Sequence, residues 1–163
     1  MSDEIPRNKY QTFINTAPKT TADYAELNDG VETGKIDMNA DTQKSHYIGN
    51  ANGSFSVTGY APSMKITHIA KVGDDAYDFI ASLLVARAIG SDAETDVVNV
   101  RLWETPQGNE YPAERQPVVI EFTSHASDGG KPYQIEYTIS YNGDPVAGTF
   151  NPTSVEFTED GVC

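Results

Sequence analysis

The stretch Tyr133–Tyr141, "YQIEYTISY", alternates without a break. Tyr133, Ile135, Tyr137, Ile139 and Tyr141 fall on one side of an extended chain, and Gln134, Glu136, Thr138 and Ser140 on the other. Successive strand side chains point to opposite faces, so this segment is predicted to be a strand with one apolar and one polar face. Just upstream, "VVIEFTSH" repeats the pattern, with Val118, Ile120 and Phe122 inward and Val119, Glu121 and Thr123 outward. The intervening "ASDGGKP" is turn chemistry, so the two runs are predicted to form an antiparallel hairpin.

The same period marks further strands. "VVNVRLWE" places Val98, Val100 and Leu102 on one face, and "GSFSVTGY" sets Phe55, Val57 and Gly59 opposite Ser54, Ser56 and Thr58. "MKITHIA" follows as a partner, and "VAGTF" and "SVEFT" are short closing strands. One segment has helical spacing instead. In "DDAYDFIASLLVARAIG", Ala76, Phe79, Ile80, Leu83, Leu84 and Ala88 share a face, which predicts a helix over about 74–89. Asp74, Asp75 and Asp78 crowd its start, where carboxylates meet free N–H groups and the positive dipole end. Arg87 falls in its last turn, and Gly90 is placed to stop it. The predicted fold is mainly β: an antiparallel sandwich or flattened barrel with one flanking helix, and extended arms and loops.

The 163 residues suit a single domain, 1–163. Within it, residues 1–21 read as a polar arm with a short strand near Tyr10 to Ile14. "NADTQKSHYIGNANG" reads as a long polar loop over about 39–53, "TPQGNEYPAERQP" as a second polar loop, and 159–163 as a polar tail. Segments 1–20 and 39–53 are expected to be mobile in a free chain, and loss of 1–20 is expected to leave the fold intact.

Charge and motif content narrow the function. The net charge is −13, from 24 acids against 11 bases, with no basic run. That opposes nucleic-acid binding by phosphate neutralisation. The opening "MSDEIPRNKY" lacks the pattern of a secretory leader, and no apolar run has the length of a membrane span, so cytoplasmic synthesis and no membrane partner are expected. The single cysteine, Cys163, admits no intrachain disulfide. His46, His68 and His125 have no metal-ligand spacing, and no nucleophile elbow or phosphate loop is present. Asp37, Asn39 and Asp41 have the alternate spacing of a calcium loop, but Thr42 and Ile48 stand where Gly and Glu are needed. No cofactor, metal or catalytic activity is expected.

The order of parts, from "DDAYDFIASLLVARAIG" through "VVNVRLWE", a polar excursion, the hairpin and "NGDPVAGTFNPTSVEF", resembles the major tail tube proteins of long-tailed bacteriophages, especially those of Gram-positive hosts. The resemblance covers roughly residues 22–158 and is strongest at "ISYNGDPVAGTF". It implies a structural virion protein, made in the host cytoplasm, whose subunits form hexameric rings stacked into a hollow tube that conducts DNA. Its implied partners are further copies of itself, the tape measure, tail terminator and distal tail proteins, and double-stranded DNA passing without specific binding. On that resemblance Glu121 and Glu136 are candidates to face the lumen, Asp41, Lys44, His46 and Tyr47 to form a ring-contact loop, and Tyr10, Phe13 and Ile14 to make arm contacts. Two alternatives stay open: a monomeric carbohydrate- or cell-wall-binding sandwich that stacks sugars on Tyr60, Trp103, Tyr111 and Tyr133, and the tube of a contractile tail or secretion system.

Overall fold

The computed structural model describes residues 2–160. Its strands are β1 (Tyr10–Asn15), β2 (Tyr24–Glu26), β3 (Val31–Thr33), β4 (Ile36–Asp37), β5 (Ala40–Ser45), β6 (Ser54–Tyr60) and β7 (Ser63–Ile69). The helix α1 (Asp75–Ala86) follows, and then β8 (Glu94–Arg101), β9 (Tyr111–His125), β10 (Gln134–Tyr141), β11 (Val146–Asn151) and β12 (Glu156–Glu159). Ten of the strands form one antiparallel sheet ordered β2-β1-β8-β9-β10-β7-β3, with β4 beside β7 and the β11–β12 pair attached to β9. The sheet curls into a half-barrel with α1 against it, so the predicted fold class holds.

The curl follows from which side chains meet. Ile14, Val97, Val118, Ile120, Ile135, Ile139, Met64 and Ile66 come from five strands, and all share one core with Ala76 and Ile80 of the helix. A sheet whose distant strands pack into one cluster must wrap round it. The opposite face is covered only at one end, where Phe150 of β11 packs with Phe13, Tyr24, Val98, Val100 and Ala113. Strands β1 and β8 are therefore buried on both faces. That is why Val97, Val98 and Val100 read as a nearly continuous apolar run.

This placement corrects the reading of 1–21 as an arm. β1 lies between β2 and β8, with Phe13 opposite Val98 and Glu26, and Ile14 is 0% exposed. The polar residues that disguised it are paired inside. The Thr12 hydroxyl donates to Asn99 Oδ1 at 2.7 Å, and the Thr95 hydroxyl donates to the Asn15 carbonyl at 2.7 Å. Buried polar groups of this kind are neutral or helpful only when satisfied.

The second polar loop is also shorter than expected. β9 begins at Tyr111 and runs 15 residues. It carries β8 on one side and, on the other, β10 followed by β11. Pro117 fits because the carbonyl and nitrogen of one strand residue point to the same side. Its carbonyl accepts from Asn142 N at 2.8 Å, so its missing donor falls opposite the 142–145 turn between β10 and β11. Of the predicted tail 159–163, Glu159 pairs with Gly148 and Asp160 N donates to the Ala147 carbonyl; residues 161–163 lie outside the described residues.

The helix starts where its sequence predicts. Asp74 caps it by accepting from Ala76 N at 3.1 Å, and Asp75 and Asp78 lie in the first turn. Its stop comes earlier than Gly90. Arg87 adopts the left-handed conformation at φ 47°, and its N–H closes back on the Leu84 carbonyl at 3.1 Å.

Gly148 permits the closing pair. A Cβ there would lie 2.2 Å from the Thr158 carbonyl oxygen and 2.6 Å from Phe157 Cζ, so β11 and β12 approach as closely as they do only without a side chain. Gly148→Ala is expected to lower stability by about 1–3 kcal/mol, the usual range for overpacking. Urea unfolding checks this, and an unchanged midpoint would mean that the strands do not approach so closely.

Candidate assembly surfaces

The predicted loop 39–53 is mostly a hairpin arm. β5 and β6 form a separate two-stranded sheet, registered Lys44 to Phe55 and Thr42 to Val57, and their extensive contacts are with each other. Asp41 and Lys44 lie on β5, and His46 and Tyr47 lead into the tip. His46 Nε2 meets the Asn50 carbonyl at 2.7 Å, and Lys44 Nζ lies 5.5 Å from the Phe55 ring centroid. The four residues predicted as a contact loop thus occupy one projecting element. Period two correctly placed Phe55 and Val57 on one face, but that face is not turned inward. Phe55 is 73% exposed and Ile48 109%, and Val57, Tyr47 and Tyr60 are exposed as well. A two-stranded hairpin alone is marginal in water, and this one presents its apolar side chains to solvent.

The polar face of β10 is also where the alternation predicts. Ile135, Tyr137, Ile139 and Tyr141 are buried, while Gln134, Glu136, Thr138 and Ser140 are half-buried on the other side. Glu121 sits opposite Thr138, so both acids lie on this face. Ser124 Oγ donates to Glu136 Oε2 at 2.9 Å, and Ser140 Oγ to Glu121 Oε2 at 3.4 Å. Sequence alone missed Lys65, which the register places across from Thr138 on the neighbouring β7. The same register brings Asp37 of β4 and Glu94 of β8 onto this face as well, in the row that runs through Ser63, Ser140 and Val119. A bulge between Glu136 and Tyr137 leaves Thr123 unpaired and twists this end of the ladder.

Tyr10, Phe13 and Ile14 do not make an arm. Phe13 and Ile14 are core residues, and Tyr10 is half-buried beside Trp103, with ring centroids 6.0 Å apart. Burial pushes the Tyr10 phenol up to about 12. It also raises Tyr137, Tyr141 and Tyr77, and Tyr24, whose hydroxyl donates to Asp96, rises by the same cause. Each keeps its proton in the fold beyond the unfolded value of about 10. Above that pH the unfolded chain binds fewer protons, so stability present below about 10 is lost as pH rises through the folded values. The thermal midpoint is expected to be flat from about pH 8 to 9.5 and to fall steadily towards about 12. Circular dichroism would show it, and a flat profile to pH 12 would contradict the burial.

One buried cluster has the connectivity of a catalytic relay. His68 is fully buried, with Nδ1 3.0 Å from the Tyr137 hydroxyl and Nε2 3.2 Å from Asp74 Oδ2. The imidazole thus bridges the Asp74 carboxylate at the helix start to the Tyr137 phenol on β10. The terminal hydroxyl belongs to a phenol that is 1% exposed, where no substrate reaches it. The cluster instead ties the helix start to β7 and β10.

The residues proposed to stack sugars do not form one platform. Tyr133 pairs with His125 at one end of β9, and Tyr111 starts the other end. At about 3.3 Å per residue, roughly 45 Å of strand runs between the two ends. Tyr60 is on the arm.

No protein-family model matches the sequence, and no curated protein matches it in sequence. Among solved structures, a chain from the tail of an empty GTA particle, determined by helical refinement with C6 symmetry, superposes with a TM-score of 0.61 at 11% identity. The match covers 87% of this chain and 97% of that one. This chain therefore shares the fold of that chain over most of its length. Looser overlays are found with the phage p2 baseplate in its activated conformation with Sr (TM-score 0.44, 12% identity, 82% of this chain and 43% of that one) and with the anti-feeding prophage baseplate (0.45, 10%, 90% and 97%).

Proposed function

We propose that copies of this chain assemble into the hollow tube of a phage tail, as hexameric rings stacked on one another, and that the tube conducts double-stranded DNA. The observation that carries this reading is the detached hairpin β5–β6. Among the described residues every other strand joins one sheet and this hairpin alone stands apart, with Phe55, Val57, Tyr47 and Ile48 in solvent. A second copy that covers the arm by a surface other than the arm makes a heterologous contact, and such contacts build rings or filaments. The sheet ends, β2 and β3, carry no further strand among the described residues, so they supply edges along which neighbours within a ring add. The arm, with Asp41, Lys44, His46 and Tyr47, then reaches between rings.

In this reading the face with Glu121 and Glu136 lines the bore, where like charge keeps phosphate from adhering. Tape measure, terminator and distal tail proteins are the partners within and at the ends of the tube, the virion tail is its location, and a siphophage of a Gram-positive host is the source. Sedimentation velocity across a range of concentrations tests the assembly, with growth into large polymers expected and a constant monomer contradicting it. Changing Glu121 and Glu136 together to Lys is expected to shift monomer stability by no more than about 1 kcal/mol, since both are surface positions. Tubes of that variant should bind DNA with an affinity that falls as salt rises. If its tubes form and ignore DNA at low salt, these residues do not face the bore.

A further inference from the structure

The arm joins the body through two legs, Met38–Asn39 and Ala61–Pro62. On the body side, Asp37 pairs with Ser63 in the β4–β7 ladder, and on the arm side Ala40 pairs with Tyr60. Between these ladders one backbone bond crosses, from Ala61 N to the Met38 carbonyl at 3.2 Å. One side chain crosses too. Asn39 Nδ2 lies 3.0 Å from the Ala61 carbonyl oxygen and 3.1 Å from Ser63 Oγ. A carbonyl only accepts, so the atom facing it is the amide nitrogen, and Asn39 donates to the opposite leg.

The backbone at Asn39 is unusual as well. Its φ is 47°, in the left-handed region that non-glycine residues seldom occupy and that Asn tolerates best. Pro62 holds the other leg at a fixed φ and lacks an N–H. A single position thus supplies both the turn that directs the arm away from the sheet and the only side-chain tie across its root among the described residues. Strained conformations persist where the surroundings hold them, and here the holding bond comes from the strained residue itself.

We infer that Asn39 is the positioning residue that aims the arm, a pin without which the hairpin swings about its two legs while the body stays folded. Its consequence for assembly rests on the tube reading, but the pin is a property of the free chain and is tested there. The measurement is the distance between spin labels at Asn50→Cys on the arm and Asp144→Cys on the body, in the full dilute chain with Cys163→Ser. With Asn39 present, one narrow distribution is expected. Asn39→Gly keeps access to positive φ and removes the tie. Asn39→Asp keeps size and the tolerance of positive φ, but sets an acceptor against the Ala61 carbonyl. Both should broaden the distribution at least about twofold, as expected when an element loses its holding contacts. Equal width and mean in both variants would overturn the inference, because the backbone alone would then set the angle. Loss of the thermal transition in both would overturn it too, by making Asn39 part of the body. A parent chain that never assembles, with distances that still broaden, would leave the pin standing and remove the tube.

Discussion

Removing residues 2–20 should abolish folding. The truncated chain would lose β1, which pairs along one side with β2 and along the other with β8. Phe13 fills one core and Ile14 the other, each worth about 1.5–3 kcal/mol by burial alone. Their loss would expose the facing side chains of Val97, Val98 and Val100, and would take Thr12 from Asn99 Oδ1, Asn15 Nδ2 from Asp96 Oδ1 and the Asn15 carbonyl from the Thr95 hydroxyl. Together these approach the whole stability of a domain, about 5–15 kcal/mol. The expected circular dichroism is that of a disordered or aggregated chain with no cooperative melt. Removal of residues 2–5 alone, all exposed, should leave the melt within a few degrees of the parent. A truncated chain that still melts cooperatively would show that β1 is dispensable and restore the reading of this segment as an arm.

The second large effect concerns the hairpin. Replacing Ala40–Tyr60 by a two-residue Gly-Gly link should leave the body intact, because the Met38 carbonyl and Ala61 N already meet across the root and a short turn closes them. No residue of β5 or β6 belongs to either core. Thermal stability should change little, yet assembly should cease at concentrations where the parent polymerises. The double change of Phe55 and Val57 to Asp should do the same without altering chain length, since it sets charge on the apolar face. Sedimentation of both variants beside the parent decides it. Polymers of undiminished size in both would show that the arm is not a contact.

Much of this architecture was legible from period alone. β10 and the half of β9 facing it announced themselves by strict alternation, and the helix by its spacing and its aspartates, because each has one face in the core and one in water. The failures have the opposite cause. β1 is buried on both faces, and the Thr12 hydroxyl and Asn15 Nδ2 donate to Asn99 and Asp96, 87 and 81 positions away, so Thr12 and Asn15 looked like surface. The first part of β9 was hidden by Pro112, which pairs with Thr149 of β11, and by Pro117, which fits where β10 and β11 part. The arm was read as a loop since its strands have no core to alternate against: Ala40–Ser45 is exposed nearly throughout, and periodicity reports burial rather than extension. Of the candidate site residues, Glu121 and Glu136 share a face as expected, Asp41, Lys44, His46 and Tyr47 share the arm, and Phe13 and Ile14 belong to the core. Lys65 was invisible because only cross-strand register brings it beside the acids.

The central claim is that this chain builds a tube out of itself. Electron microscopy of the concentrated protein tests it most directly. The account predicts hollow tubes of uniform width whose end views show six subunits per turn, with density for the hairpin crossing from each ring to the next. Isolated particles of single-chain size at every concentration, or solid fibres without a bore, would contradict it.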